Sequence, residues 1–332
     1  MTKKWLAIGL KAAVSGALIW YLVSGIDTAE LKAQLARMDI AMLVLAIAVV
    51  LMQMLIGGLR WGSVLKGLGA GMPVALTTRL FYIGSFFSQA LPGASGGDAV
   101  RMYMCYREGA SLRVAVNGVI IERVATVLAL VLLVDVTQPF FIESLKPEAR
   151  SLSISGIVLV TVASLCGLAV VSQLDRLPEG LRRWRVVRGI ANLGVDTRHV
   201  LFSVARALPP LFWSVIGHLN VSLAVFILTL GLGLDVTLFD CVVLIPPVLL
   251  VLTVPISIGG WGVREGAMVW AFALIGVPKE AALVLSVLFG ISGLAAVLPG
   301  GILWLLTRGR NGDVDPIPEG GIEALRENNE NA

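Results

Sequence analysis

The sequence predicts an all-α integral membrane protein with about six transmembrane helices, two re-entrant helical hairpins and an inverted internal repeat. Of its 332 residues, 57% are hydrophobic and 14% are charged, and its mean hydropathy is +0.88. Soluble domains have fewer apolar residues, about 45–50%, and more charged residues, about 25%. Because no soluble core could absorb this much apolar sequence, we expect one membrane domain over residues 1–308 and a polar, disordered cytoplasmic tail over residues 309–332.

Six uninterrupted apolar runs are long enough to cross a bilayer as helices, which takes about 20 residues. They occupy residues 5–23, 40–59, 114–136, 152–171, 208–230 and 281–307. The first run is as long as a spanning helix and shows no small-residue cleavage site, so we expect a span rather than a signal peptide.

Two further apolar stretches, residues 74–106 and 236–275, are interrupted by glycine-rich segments that begin at Pro92 and Pro255. This pattern is typical of two half-helices that meet at a tip. Non-helical backbone at membrane depth is tolerated only where protein buries it or where it lines a water-filled cavity. We therefore expect a re-entrant hairpin in each stretch, with function concentrated at the two tips.

The charge of the connectors predicts the topology. The connector over residues 175–206 contains seven arginines and three acidic residues, so the positive-inside rule places it in the cytoplasm. Both termini are then cytoplasmic, in a plasma or inner membrane, and the two tips enter from opposite sides. The connector lacks interleaved stacking aromatics, so we expect it to contact anionic lipids rather than nucleic acid.

The two tips resemble each other in sequence. They share a proline, paired glycines, a valine and an arginine at identical spacing: Pro92, Gly96, Gly97, Val100 and Arg101 in the first, and Pro255, Gly259, Gly260, Val263 and Arg264 in the second. Oppositely oriented copies with discontinuous helices are typical of inverted-repeat transporters, which bind substrate near the bilayer midplane. We expect the repeat units to cover about residues 1–136 and 152–308.

Arg101 and Arg264 are the leading candidates for a binding site. An arginine at the bilayer centre costs about 2.5–3.5 kcal/mol on insertion scales, so it persists where it is paired, hydrated or useful. Asp98 is expected to cap the half-helix that follows Gly97, and the paired glycines leave backbone N–H groups free for an anion. Arginine can bind phosphate through two hydrogen bonds, so the two arginines predict a phosphate-binding site at the tips. Alternatively, both arginines only pair with carboxylates and hold the repeats together.

Glu122 and Arg123 lie inside the apolar run at residues 114–136. Being adjacent in a helix, they point in different directions and each needs a partner elsewhere. From charge alone, we expect Arg264 to pair with Glu122 and Glu265 to pair with Arg123. As an alternative to these ion pairs, Glu122 or Glu265 relays a proton.

The other polar and sulfur-bearing residues predict no metal site and no cofactor. His218 and Asn220 lie in the run at residues 208–230, where interhelical hydrogen bonding is the commonest use of polar side chains and gating is the alternative. Cys105, Cys166 and Cys241 are too widely separated for a disulfide framework or a metal motif.

Three segments carry a family resemblance. Residues 91–101 read LPGASGGDAVR, residues 121–123 read IER and residues 255–266 read PISIGGWGVREG. In sequence and order they resemble the flippase-like transmembrane family of the lysylphosphatidylglycerol synthases, over nearly the whole chain to about Arg308. The resemblance implies a helical lipid-translocating module and leaves the lipid open among anionic phospholipids, hopanoids and polyprenyl-linked sugars. Trp261, at the position of Asp98, implies that the tips need not act equivalently.

In that family, the full-length synthase carries a cytosolic aminoacyl-transferase domain after the membrane part. Here only the polar residues 309–332 follow. We therefore expect a stand-alone membrane domain that is not an enzyme.

The expected function is flippase- or scramblase-like translocation of an anionic phospholipid or polyprenyl lipid, whose phosphate meets the two tips. One alternative is a non-transporting partner that organises lipid-biosynthesis enzymes through the arginine-rich connector. A second is lipid-linked transfer with Asp98, Glu122 and Glu265 as acid or base. A third is an intramembrane serine protease, since the segment around Ser95 resembles the rhomboid GxSG motif and His218 lies in a later span.

Overall fold

The chain folds into helices throughout the part that the structure describes. This computed structural model covers residues 28–90, 96–142, 147–176, 184–254, 257 and 260–308, with residues 16 and 20. The described α-helices are α1 (Thr28–Arg37), α2 (Ile40–Gly67), α3 (Val74–Ala90), α4 (Gly96–Arg107), α5 (Leu112–Ile142), α6 (Pro147–Ser172), α7 (Arg185–Leu201), α8 (Val204–Gly231), α9 (Leu238–Thr253), α10 (Val263–Ala273) and α11 (Lys279–Arg308). The predicted all-helical class is therefore confirmed.

Four described helices are long and apolar enough to span a membrane, and the protein is an integral membrane protein. They cover Ile40–Gly67, Ser153–Ser172, Val204–Gly231 and Lys279–Thr307, which confirms four of the six predicted spans. The run at residues 114–136 lies in α5, which is helical throughout but contains three charged residues in that run and is not among the four. Apart from residues 16 and 20, the run at residues 5–23 lies outside the described residues, as does the tail at 309–332.

Two series of four helices have closely similar lengths. Helices α2 to α5 contain 28, 17, 12 and 31 residues, and helices α8 to α11 contain 28, 16, 11 and 30 residues. Gly69 and Gly233 follow the first helix of each series, and Gly109 and Gly276 follow the third, all with positive φ. This left-handed conformation is the usual helix C-cap of glycine. Helices α6 and α7 lie between the two series.

The two series pack on each other through α2 and α8. The Asn220 amide in α8 donates to Val49 O at 3.0 Å and to Gln53 Oε1 at 3.2 Å, both in α2. His218 Nε2, also in α8, is hydrogen bonded to Thr126 O of α5 at 3.1 Å. The predicted interhelical hydrogen bonds of both polar residues are thus confirmed.

Helices α3 and α4 pack unusually closely at the first tip. A Cβ atom placed on Gly97 would lie 2.0 Å from Gly84 O and 2.1 Å from Ser88 Oγ. A larger residue at position 97 would therefore push the two helices apart. This contact fixes the start of α4, whose first two turns carry Asp98 and Arg101, against α3.

Candidate functional site

Both tips border one cavity of about 580 Å³, which we call the charged cavity. It is lined by helices α2, α3, α4 and α5 on one side and by α9, α10, α11 and the segment between α9 and α10 on the other. Its charged lining residues are Arg60, Asp98, Arg101, Glu122, Arg123 and Arg264. Four arginines face two carboxylates, so the lining carries an excess of positive charge.

Glu122 binds two buried arginines from two other helices. Its Oε1 accepts from Arg60 Nε at 2.6 Å and contacts Arg60 Nη2 at 2.5 Å, and its Oε2 accepts from Arg101 Nη2 at 2.9 Å. The three side chains are between 3% and 9% exposed. A charge buried this deeply is tolerated only with a partner, so Glu122 ties α2 and α4 to α5.

Sequence reasoning missed Arg60 as a site residue. It lies just beyond the apolar run over residues 40–59, so the sequence does not place it inside a span. Helix α2 continues instead to Gly67, and Arg60 lies in its buried face. The available signal was the apolar sequence around it, since Trp61, Val64 and Leu65 continue the helix and are fully buried.

Asp98 links the first tip to α5. Its Oδ1 accepts from Arg101 Nη2 at 3.0 Å, and its Oδ2 accepts from Arg123 Nε at 2.9 Å and contacts Arg123 Nη2 at 2.7 Å. Helix α4 begins at Gly96, so Asp98 lies in its first turn and the predicted capping role is wrong. Both of its carboxylate oxygens bind arginines, and an alternating chain of charges runs from Arg60 to Arg123.

Arg101 has one terminal nitrogen that is not used. Nη1 is buried and donates to no acceptor among the described residues. The guanidinium lies 4.8 Å from the ring centroid of Trp61 and 5.1 Å from that of Phe81, close enough for cation–π attraction. Arg101 is thus held in place by Glu122 and the two rings while a donor remains for an incoming anion.

Arg264 at the second tip forms its ion pair within its own helix, α10. Its Nη2 lies 2.6 Å from Glu265 Oε1, and its guanidinium lies 4.3 Å from the ring centroid of Trp261. A Cβ on Gly290 of α11 would lie 2.2 Å from Nη2, so this glycine makes room for the guanidinium. Glu265 Oε2 also accepts from Gly262 N at 2.5 Å and caps α10.

The predicted ion pairs of Arg264 with Glu122 and of Glu265 with Arg123 are wrong. Glu122 binds Arg60 and Arg101 rather than Arg264, and Arg123 binds Asp98 rather than Glu265. The physical reason is that each carboxylate finds an arginine within its own series of helices. Charge alone does not say which helices are neighbours.

The glycines predicted at the tips have different roles. Gly96 is the first residue of α4, and Gly97 lines the charged cavity where it packs against α3. Gly260 lines the same cavity with φ at +80°, a conformation that favours glycine. Gly259 lies outside the described residues, as does Ser95 of the protease alternative.

Two ion pairs hold the arginine-rich connector, one within the connector and one to α5. Arg198 of α7 binds both carboxylate oxygens of Asp175 at 2.5 Å, and these hydrogen bonds lower the pKa of Asp175 below its usual value. Arg113 of α5 binds both carboxylate oxygens of Asp196 at 2.7 and 2.9 Å. Helix α7 is therefore fixed beside α5 and the end of α6.

Comparisons with known proteins agree with this architecture. The family model described as "Lysylphosphatidylglycerol synthase TM region" matches residues 8–301. A curated relative, "UPF0104 membrane protein PH1989" from Pyrococcus horikoshii, is 28% identical over 196 residues, which are 57% of this chain and 56% of that protein. The match thus spans little more than half of each chain. No solved structure matches with significance.

The Glu122 ion pairs predict a large difference between two glutamate substitutions. Glu122→Gln removes the carboxylate that pairs with Arg60 and leaves Arg101 with Asp98 alone, and breaking a buried pair costs about 3–5 kcal/mol. Glu108→Gln removes the partner of Arg79 in a partly exposed pair, which is worth under about 1 kcal/mol. Thermal unfolding in detergent should show a much larger fall in Tm for Glu122→Gln. Equal losses for the two variants would contradict the assignment of Glu122 as the central buried partner.

Proposed function

Because the chain belongs to the lysylphosphatidylglycerol synthase transmembrane-region family, we propose that it translocates a lipid with an anionic, phosphate-bearing headgroup, as a flippase or scramblase. The observation that carries this proposal is the charged cavity between the tips. There Arg101 keeps a buried donor that no acceptor in the described part of the chain uses. Four arginines around one cavity suit an anion with one or two negative charges better than a neutral headgroup.

Arg123 is the second residue that we propose for phosphate binding. Its side chain is 60% exposed, in contrast to the buried Arg60 and Arg101, and its only charged partner among the described residues is Asp98. A phosphate that takes Arg101 Nη1 can share Arg123 with Asp98 and leave again without breaking the Glu122 ion pairs. Reversible exchange of this kind is what a transport site requires, since the substrate must also dissociate.

We propose that the carboxylates of the site are not catalytic. Asp98, Glu122 and Glu265 each accept from at least one arginine, and a carboxylate held in this way is a poor general base. The same ion pairs favour a structural role for Glu122 and Glu265 over proton relay. This supports a membrane protein that moves or binds lipid over one that transfers a group.

We propose further that α2–α5 and α8–α11 are inverted copies. In this arrangement α3–α4 and α9–α10 are re-entrant hairpins that enter from opposite faces, and both chain termini are cytoplasmic. The matched helix lengths and the matched tip motifs support this topology. Transporters of this kind bind substrate between the two repeats, which is where the charged cavity lies.

Membrane lipids are also the partners that we propose for the outer face of α7. Trp184, Val186 and Ile190 are exposed, and Arg188 is exposed on another side of the same helix. Exposed apolar residues on one face of a helix and basic residues on another are typical of a helix that lies in the membrane interface and contacts anionic headgroups. The same face supports the alternative of a docking surface for a lipid-biosynthesis enzyme.

The proposed topology predicts opposite labelling of two equivalent positions. Gly71 follows the first helix of its series and Asp235 follows the first helix of the other, and both are exposed. In a variant without the native cysteines, Gly71→Cys should react with a membrane-impermeant maleimide only from the cytoplasmic side, and Asp235→Cys only from the outside. Labelling of both positions from one side would rule out inverted copies.

Lipid movement in proteoliposomes tests the proposed function. Wild-type protein should move fluorescent anionic phospholipids faster than protein-free vesicles do, and Arg101→Ala should lower this rate at least about tenfold, since a lost charge-assisted hydrogen bond costs about 1.5–3 kcal/mol. Arg79→Ala is the matched control, because Arg79 lies on the neighbouring helix α3 and binds Glu108 outside the cavity. No movement by folded wild-type protein, or an unchanged rate in Arg101→Ala, would refute the proposal.

A further inference from the structure

A second cavity of about 660 Å³ lies between α6 on one side and α5, α9 and α10 on the other, and we call it the apolar groove. Its walls are mainly aliphatic and aromatic, with Ile157 and Val160 of α6 opposite Leu250 and Trp270. The most polar lining group, the Gln138 amide, donates to Val243 O at 2.9 Å. A groove with this lining in a membrane protein suits hydrocarbon rather than water.

The apolar groove adjoins the charged cavity. Val127 of α5, Thr253 at the end of α9 and the adjacent Val254 line both spaces. The two spaces thus lie within reach of one molecule that has an anionic end and an apolar chain. On the other side the groove is bounded by α6, whose most apolar stretch of 18 residues has no residue buried within the protein. The groove thus borders the lipid-facing surface.

The size of the groove corresponds to one hydrocarbon chain. Its lining on α6 extends from Ser153 to Ser164, and eleven steps at roughly 1.5 Å each make about 16 Å. This length is close to the depth of one leaflet, which is half of the roughly 30 Å hydrocarbon core. A hydrocarbon chain that extends through one leaflet therefore matches the length of the groove.

We propose that the apolar groove seats one acyl chain of the lipid whose phosphate binds in the charged cavity, while the second chain stays in the bilayer. This inference rests on the proposed function and narrows the substrate class to phospholipids with acyl chains. The chain enters past α6 and the headgroup follows it toward Arg101. Binding then depends on both ends of the lipid.

Photocrosslinking tests occupancy of the groove without requiring transport. The probe is an anionic glycerophospholipid with a diazirine on one acyl chain, incorporated in proteoliposomes with the full chain and mapped by mass spectrometry. Adducts should concentrate on Val160, Ala163 and Leu250. Ile302 and Leu305 of α11 are exposed apolar residues outside the groove and serve as a reference. Equal adduct yields at groove and reference positions would overturn the inference.

Two glycines of α6 provide a matched pair of variants. Gly156 lines the groove, whereas Gly167 lies further along the same helix and does not, and a Cβ on either meets no atom within 4 Å. Gly156→Trp should therefore fold and fill the groove, lowering lipid movement at least about tenfold because it displaces several methylenes. Gly167→Trp should change the rate by less than about twofold, as a lipid-facing substitution away from the groove.

The outcomes separate the inference from the proposed function. If wild-type protein moves anionic lipid, Arg101→Ala does not, and Gly156→Trp moves it at the wild-type rate, the acyl-chain site is wrong and the proposed function stands. If wild-type protein moves no lipid, the proposed function is wrong. In that case the crosslinking pattern still decides whether an acyl chain occupies the groove.

Discussion

The buried ion pairs of Glu122 are the interaction on which the rest of the site depends. Arg60 and Arg101 lie at less than 10% exposure in a helical membrane domain, where an uncompensated charge is strongly unfavourable. One carboxylate from α5 compensates both and thereby fixes the distance between α2 and α4. With Arg101 held in this way, its Nη1 stays buried beside the cavity without an acceptor among the described residues. The same ion pairs therefore stabilise the first series of helices and prepare the binding site.

The two tips share a motif but differ in what their arginines do. Arg101 has an unused donor and lies near Asp98 and the exposed Arg123, whereas Arg264 is packed between Glu265, Trp261 and Gly290. Glu265 in addition caps α10. At the second tip the arginine is thus paired within its own helix, whereas in the proposed function the first tip supplies the groups that a phosphate would meet. Trp261, at the position of Asp98, lies against the Arg264 guanidinium.

The apolar pattern of the sequence was sufficient to predict the helical fold, four spans and the two interrupted segments, because bilayer thickness and backbone hydrogen bonding leave few choices. It also predicted the interhelical hydrogen bonds of His218 and Asn220, since a polar group in an apolar run needs a partner. The partners of Glu122 could not be predicted, because Arg60 lies 62 residues away and no local sequence feature indicates that α2 and α5 are neighbours. The apolar groove could not be predicted from the sequence either, since its lining residues are of types that are common in membrane helices.

The central claim is that the cavity between the tips recognises the anionic phosphate of a lipid, and binding tests it more directly than transport does. Native mass spectrometry of the detergent-solubilised protein, with equimolar anionic and zwitterionic phospholipids of identical acyl chains, reports that preference without any need for movement. The account predicts that wild-type protein retains the anionic lipid preferentially and that Arg101→Ala loses this preference while still binding lipid. Equal retention of both lipids by wild-type protein, or an unchanged preference in Arg101→Ala, would contradict it.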